Sequence, residues 1–425
     1  MNVKAQHPMN IVEALLARAS NKKSVEAGDI VDAKIDYVMM NDITAPLAIA
    51  AFKEMGGKNV WDKERTIIVF DHLVPAPDAA AAEVHRICRQ FALEQDVLFY
   101  DVGRGGVCHQ VMIENHVKAG EVIVGADSHT CTYGAVGAFA TGIGSTEAAA
   151  VMLTGKLWFK VPRVLNIIVN GNLIPPVSPK DLILHIIGQV KADGATYMGV
   201  QFSGKVFNEM TIPGRMTVCN MVVEMGGKCG IVEPDDKVKD YLQARSLFPF
   251  TFVKGDDKAQ FFKILEYNVS KLEPVVSIPY SVDNVKPVSE IGYVSIDQAF
   301  IGSCTNGRLE DLRIAAKIMR GKKVKSGVRA IVIPASIDEY TAAMTEGLVD
   351  DFIRAGVLVC NPACGPCYGG HLGLLAKGEI CVSSTNRNFV GRMGDPQAKV
   401  YLASPATVAA SAITGHITDP RYVGT

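Results

Sequence analysis

"VLVCNPACGPCYGGHLGLLAKGEICVSSTNRNF" (residues 357–389) runs an apolar, β-branched stretch into a cysteine-bearing loop, a short helical pattern and a second apolar stretch with a polar tail. Strand, loop, helix, strand is the unit of an α/β fold. The same order extends outward in both directions. "DQAFIGSCTNG" (297–307) predicts a strand and loop, "RLEDLRIAAKIMRG" a helix, "VRAIVIPAS" a strand and "IDEYTAAMTEGLVDDFIRAG" a helix. Nearer the amino end, "TIIVFDH" (66–72), "DVLFYD" (96–101) and "EVIVGADSHT" (121–130) predict strands. Helices are predicted from "DAAAAEVHRICRQFALEQ" (78–95) and "GSTEAAAVMLTGKLWF" (144–159). The middle is looser, with a helix in "PKDLILHIIGQVKA" and a linker in "SIPYSVDNVKPVSEIG" (277–292). This organisation predicts an α/β protein of three units, residues 1–170, 171–285 and 286–425.

Ligands of open parallel sheets collect beyond the carboxyl ends of the strands. The polar clusters stand there: Asp71 with His72, Asp127 to His129, Cys304, Cys364 with Cys367, and Asn386 with Arg387. A common cleft is the simplest arrangement that uses them all.

Composition narrows the class. The 425 residues carry 43 basic and 44 acidic side chains with no basic tract, which gives no nucleic-acid footprint. The start has no apolar core of a signal peptide and reads as an amphipathic helix, and no apolar run is long enough to span a membrane. Ten cysteines without a secretory signal predict a reducing, cytoplasmic setting and favour metal binding or catalysis over disulfides.

Cys364-Gly365-Pro366-Cys367 taken alone has the spacing of a dithiol redox pair. The "YGGHLG" that follows is a poor first helical turn, because three glycines in six residues weaken a helix. A metal reading draws in Cys304 from another strand end. There is no second C-x-x-C for a four-cysteine zinc site. Three thiolates would leave one position of an iron–sulfur centre open to substrate. Cys88, Cys219, Cys229 and Cys381 read as buried small hydrophobes, and Cys108, Cys131 and Cys360 as pocket wall.

"GADSHTCTYGAVGAFATGIGSTE", "IGSCTNGR", "NPACGPCYGG" and "SSTNRNFVGR", in that order along nearly the whole chain, resemble the aconitase superfamily, and within it the large subunits of its two-subunit members. The resemblance implies three α/β/α domains around a central cluster-binding cleft, without the fourth (swivel) domain. It implies one 4Fe-4S cluster on Cys304, Cys364 and Cys367, and reversible dehydration of a small hydroxy di- or tricarboxylic acid. Asp71 and His72 would assist loss of the hydroxyl, with His109, Asp127 and His129 in the surrounding network. Ser128, Asn386, Arg387 and Arg392 would face the substrate, arginine suiting carboxylates through paired hydrogen bonds. Asn41 matches a further pocket position. Gln201 stands where many members carry a glutamate, and an amide there can hydrogen-bond but not take a proton. The chain ends at Thr425, and the resemblance therefore implies a separate small subunit that completes the site and sets the substrate. A dithiol oxidoreductase and an RNA-binding iron sensor are the rival classes. The glycine-rich "GAVGAFATGIG" (134–144) lacks the lysine of a phosphate loop and reads as close packing around the cleft.

Overall fold

The structure is a computed structural model and describes residues 7–423. It is built on three large sheets. The first is parallel throughout, in the order Leu98–Tyr100, Thr66–Val69, Tyr37–Asn41, Val122–Gly125, Phe139–Gly142. The second is also parallel, in the order Cys229–Val232, Gly199–Ser203, Val164–Asn170, Lys263–Asn268. The third has seven strands. Its five parallel members are Lys399–Ala403, Ile380–Ser383, Gln298–Ile301, Arg329–Val332 and Leu358–Val359. Val275–Ser277 and Val285–Pro287 extend it antiparallel.

The central strands are buried along their whole length, as in Thr66–Val69, Val122–Gly125 and Gln298–Ile301. Helices cover both faces of such parallel sheets, so the apolar runs need no alternation. Register then sets the site. Asn41 pairs with Val69 and Met39 with Gly125, so neighbouring strands end together and release their loops along one edge.

Several elements differ from the sequence expectation. Strand Val164–Asn170 pairs into the second sheet rather than closing the first. The segment 277–292, expected as a linker, instead supplies edge strand to the third sheet. "HLGLLAKG" forms turns and not a helix, since its chain must turn back so that Leu375 bridges Gly394. Helix Ser145–Thr154 stops at Gly155, and Lys156–Lys160 pairs as a strand with Ile30–Lys34. The helix expected over 337–356 is two helices, Ile337–Thr345 and Leu348–Ala355, separated at Gly347 in the left-handed region. Among the described residues no helix is long and apolar enough to cross a membrane.

First and second sheets meet at a point where no side chain fits. A Cβ on Gly134 would lie 1.6 Å from the carbonyl oxygen of Gly230. The glycine-rich run therefore serves close packing, and it seats the turn Ser128–Val136 against strand Cys229–Val232.

Candidate active site

The turn after Thr66–Val69 carries Asp71 and His72. It is held from below by Asp42, a fully buried residue that sequence reasoning passed over. The Asp42 carboxylate accepts the backbone N–H of Asp71 at 3.3 Å, of His72 at 2.9 Å and of Leu73 at 2.7 Å. It also bonds His85 Nε2 at 3.2 Å. Burial works against this charge, yet His85, His72 and the backbone donors hold its pKa below the ordinary value. His72 Nδ1 lies 2.6 Å from Asp71 Oδ1. Burial alone would make that imidazole harder to charge, but Asp71, Asp127 and Asp42 raise its pKa to about 9.

Asp127, at the end of Val122–Gly125, is the second hub. Its carboxylate pairs with His109 Nε2 at 2.9 Å, accepts the His129 N–H at 2.9 Å and accepts Asn41 Nδ2 at 3.3 Å. Burial opposes its charge, and His109 and His129 nonetheless hold it well below the usual carboxylate range. His109 Nδ1 meets Tyr133 Oη at 3.1 Å, which settles the ring from its other side.

The second layer contributes Asn220 and Glu224, neither of them legible as site residues in the sequence. Glu224 Oε1 bonds His129 Nε2 at 2.8 Å and accepts Arg387 Nε at 2.7 Å. Arg387 Nη2 in turn donates to Ser128 Oγ at 2.9 Å. One chain of contacts thus joins the loops of all three sheets. Gln201 is a correction. It sits on strand Gly199–Ser203 with its amide 3.4 Å from Glu233, away from the cavity, because its strand register points it there.

The third sheet brings the sulfurs. After Gln298–Ile301 the chain turns through Ser303, whose φ of 69° is strained for a non-glycine residue, and presents Cys304. Cys364 donates its N–H to the Asp71 carbonyl at 2.8 Å, which ties the cysteine loop to the Asp71–His72 turn. Residues Gly365–Tyr368 form one 3₁₀ turn, not the start of an α-helix. Cys304 and Cys364 pack together against Val107. Asn386 spans two sulfurs, donating to Cys304 Sγ at 3.4 Å with its oxygen 3.8 Å from Cys367 Sγ. Asn220 donates to Cys304 Sγ at 3.2 Å, and Arg392 Nη2 to Cys367 Sγ at 3.8 Å.

Apart from Asp42, His85, Tyr133, Asn220 and Glu224, which act from behind, and the Gln201–Glu233 pair, the side chains of these contacts line a cavity of about 230 Å³, together with Cys108 and Tyr368. Every sequence-predicted site residue except Gln201 faces it. Cys131 and Cys360, expected on its wall, do not. Cys131 donates to the Asn220 carbonyl at 3.3 Å, and Cys360 packs on the hydrophobic core at a strand end.

The donor set fits a thiophilic metal centre. Three buried sulfurs converge on one cavity wall, each within reach of an amide, guanidinium or carboxyl group, and soft sulfur donors suit iron–sulfur clusters. Burial pushes the Cys304 thiol up to about 12 and Cys364 well above its ordinary value, so in the chain alone both stay protonated and a metal would displace the protons. Beside them, Tyr368 Oη and Arg392 Nε are buried without a hydrogen-bond partner.

Comparison with known proteins agrees with this geometry. A model of the aconitase family (aconitate hydratase) matches residues 11–295 and 285–415. A Methanothermobacter thermautotrophicus protein named probable 3-isopropylmalate dehydratase large subunit is 55% identical over 414 residues, 97% of this chain and 99% of that protein. The 3-isopropylmalate dehydratase large subunit 1 of Archaeoglobus fulgidus is 53% identical over 416 residues, with 97% and 99% covered. A probable methanogen homoaconitase large subunit of M. thermautotrophicus is 50% identical over 418 residues, with 97% and 98% covered. Among solved structures, holo aconitase X of Thermococcus kodakaraensis superposes with a TM-score of 0.50 at 12% identity, over 85% of this chain and 84% of that one, a likeness of fold alone.

Proposed function

The chain belongs to the aconitase family of hydro-lyases, and on that premise we propose that Cys304, Cys364 and Cys367 hold one 4Fe-4S cluster at which 2-isopropylmalate is isomerised to 3-isopropylmalate. The observation that carries the proposal is the convergence of three buried sulfurs on a cavity that His72, His109 and His129 also line, each engaged with a carboxylate. Bound there, such a cluster would supply a Lewis acid for the substrate's hydroxyl and an adjacent carboxylate.

The chain's own residues bind the substrate and deliver the proton to the hydroxyl, while the base that takes up the carbon-bound proton is left to the small subunit. Asp71 anchors His72 through Nδ1, and His72 hands a proton from Nε2 to the departing hydroxyl and recovers it when water returns. Asp127 and Glu224 fix His109 and His129 so that the wall does not collapse onto the substrate. Arg387, Arg392 and Ser128 bind the carboxylates, Arg387 being pre-aligned by Glu224 and Arg392 having an uncommitted Nε. Asn386 positions the sulfurs of Cys304 and Cys367, and Asn41 steadies Asp127.

A separate small subunit completes the site in this proposal, supported by the name "large subunit" that the relatives carry. Each large sheet is the core of one domain, the first ending before Val164 and the third beginning before Val275. A cytoplasmic location is supported by the ten free cysteines. The 50% identity to a homoaconitase large subunit favours a tricarboxylic hydroxy acid as the second reading.

The test is anaerobic reconstitution with iron and sulfide, followed by metal analysis, EPR and assay with a small subunit on isopropylmalate and homocitrate. A three-iron EPR signal on mild oxidation, lost in Cys304→Ser, with turnover of isopropylmalate supports the proposal. A chain that takes up no iron, with Cys364 and Cys367 cycling as a dithiol, overturns it.

A further inference from the structure

Behind the cysteine wall lie two buried cations that the chemistry above leaves unused. Lys180, on helix Pro179–Val190, is 0% exposed, and its Nζ donates to the carbonyls of Ser384 at 2.8 Å and Thr385 at 2.5 Å. Arg308 is 1% exposed. Its Nη2 donates to the Cys304 carbonyl at 2.5 Å, its Nη1 to the Thr305 carbonyl at 2.7 Å and its Nε to Gln110 Oε1 at 3.0 Å. Among the described residues, no carboxylate oxygen comes within 4.0 Å of either charge. Arg215, the other arginine with so little exposure, is by contrast paired with Asp235.

An ion in a dry interior is costly unless an opposite charge answers it. The carbonyls supply dipoles, and the carboxylates that act on these charges, Asp311 on both and Asp181 on Lys180, stand beyond ion-pair distance. What the two cations share is the group they back. Thr385 immediately precedes Asn386, which touches the sulfurs of Cys304 and Cys367, and Arg308 holds the main chain of Cys304 itself. The electrostatics run the same way. Burial draws the Lys180 ammonium down to about 7, while negative charge at Cys367, Asp311, Cys304 and Asp181 pushes it back up.

We infer that Lys180 and Arg308 are positioning residues that also supply the counter-charge for the three-cysteine site. Each orients one site loop through its carbonyls, and together they offset the negative charge created when the cysteines give up protons to a metal. This rests on the cluster reading above. It explains why two cations persist in the interior with no carboxylate in ion-pair contact: the thiolates of the loaded site add to the more distant charges of Asp311 and Asp181. The loops they hold, 302–308 and 383–388, then meet the metal already shaped.

The experiment uses the full-length chain, reconstituted anaerobically, as wild type, Lys180→Met, Arg308→Met and Arg308→Lys. Two quantities are read besides activity: the rate of iron loss to a chelator, and the cluster's reduction potential by EPR-monitored titration. Both methionine variants are expected to lose iron at least tenfold faster than wild type. In the molecules that stay loaded the potential moves negative, because an electron is harder to add once a nearby positive charge is gone. Arg308→Lys, which keeps the charge, returns the potential towards wild type. A purely structural role would lower occupancy and leave the potential of the loaded fraction unmoved, which overturns the inference. Should the methionine variants fail to fold, Lys180→Gln and Arg308→Gln keep a polar side chain without the charge and carry the same expectation. A wild-type chain that takes up no cluster removes the underlying reading and this inference with it, whereas a loaded wild type with unshifted variants removes the inference alone.

Discussion

At the scale of single residues, the site depends on acids that do not face it. Asp42 gathers three backbone N–H groups and His85, so truncating it leaves buried donors without acceptors. Asp42→Ala should destabilise the chain by about 3 kcal/mol in denaturant titration. It should also lower kcat more than it raises KM, since His72 loses its frame but the arginines do not. Glu114 offers a pH test. Its Oε1 accepts Gln110 Nε2 at 2.8 Å and Ser336 Oγ at 2.9 Å, and burial together with Glu339 raises its pKa from 4.5 to about 7. The folded chain therefore holds this proton more tightly than the unfolded one. The stabilisation is full below pH 4.5 and is lost as pH rises through 7. Glu114→Gln should be more stable than wild type at pH 8 by up to about 3 kcal/mol, with most of the difference gone at pH 5; equal unfolding midpoints at pH 8 would refute this. Asp42, Asn220 and Glu224 could not be found in the sequence, because their roles come from what the fold brings beside them. The cysteines and Asp71–His72 could, because strand ends and motif spacing mark them.

At the scale of elements, the alternation of strand and helix was readable wherever a parallel strand is buried on both faces, as in Thr66–Val69 or Gln298–Ile301. It failed where tertiary contacts overrule local pattern. Lys156–Lys160 continues a helical-looking stretch yet pairs with Ile30–Lys34, and the segment after Cys367 turns back to bridge Leu375 and Gly394. Gly134 shows how tightly one such element is seated. An added methyl would meet the Gly230 carbonyl, which is backbone and has no rotamer to move. Gly134→Ala should destabilise by about 3 kcal/mol or leave the chain insoluble, and should loosen the His129–Glu224 contact across the same junction. Differential scanning calorimetry beside a wild-type control decides it; an unchanged Tm would mean the two backbones can part at no cost.

At the scale of the whole molecule, loading the site should lock the layers together, since Asp71 and Cys364 come from different sheets and line one cavity, and Glu224 from the remaining sheet holds His129 and Arg387 in it. A ligand that binds only the folded chain raises its stability by linkage. The reconstituted chain should unfold at a Tm several degrees above the metal-free one, and Cys364→Ser should abolish the increment while leaving the metal-free Tm near wild type. An increment that survives in Cys364→Ser would place the metal elsewhere. Addition of a small subunit should bring turnover without further iron uptake, measured by titrating one against the other.

Because the cavity is walled by residues from Asn41 to Arg392, its making also has a timetable. The histidine–carboxylate side is translated first and the sulfur side last. At about 5–20 residues per second the interval between His129 and Cys304 is on the order of ten to thirty seconds. A polypeptide released before Cys304 carries the histidine–carboxylate side but none of the three sulfurs, and the three-cysteine site can be assembled only in a chain extended past Cys367.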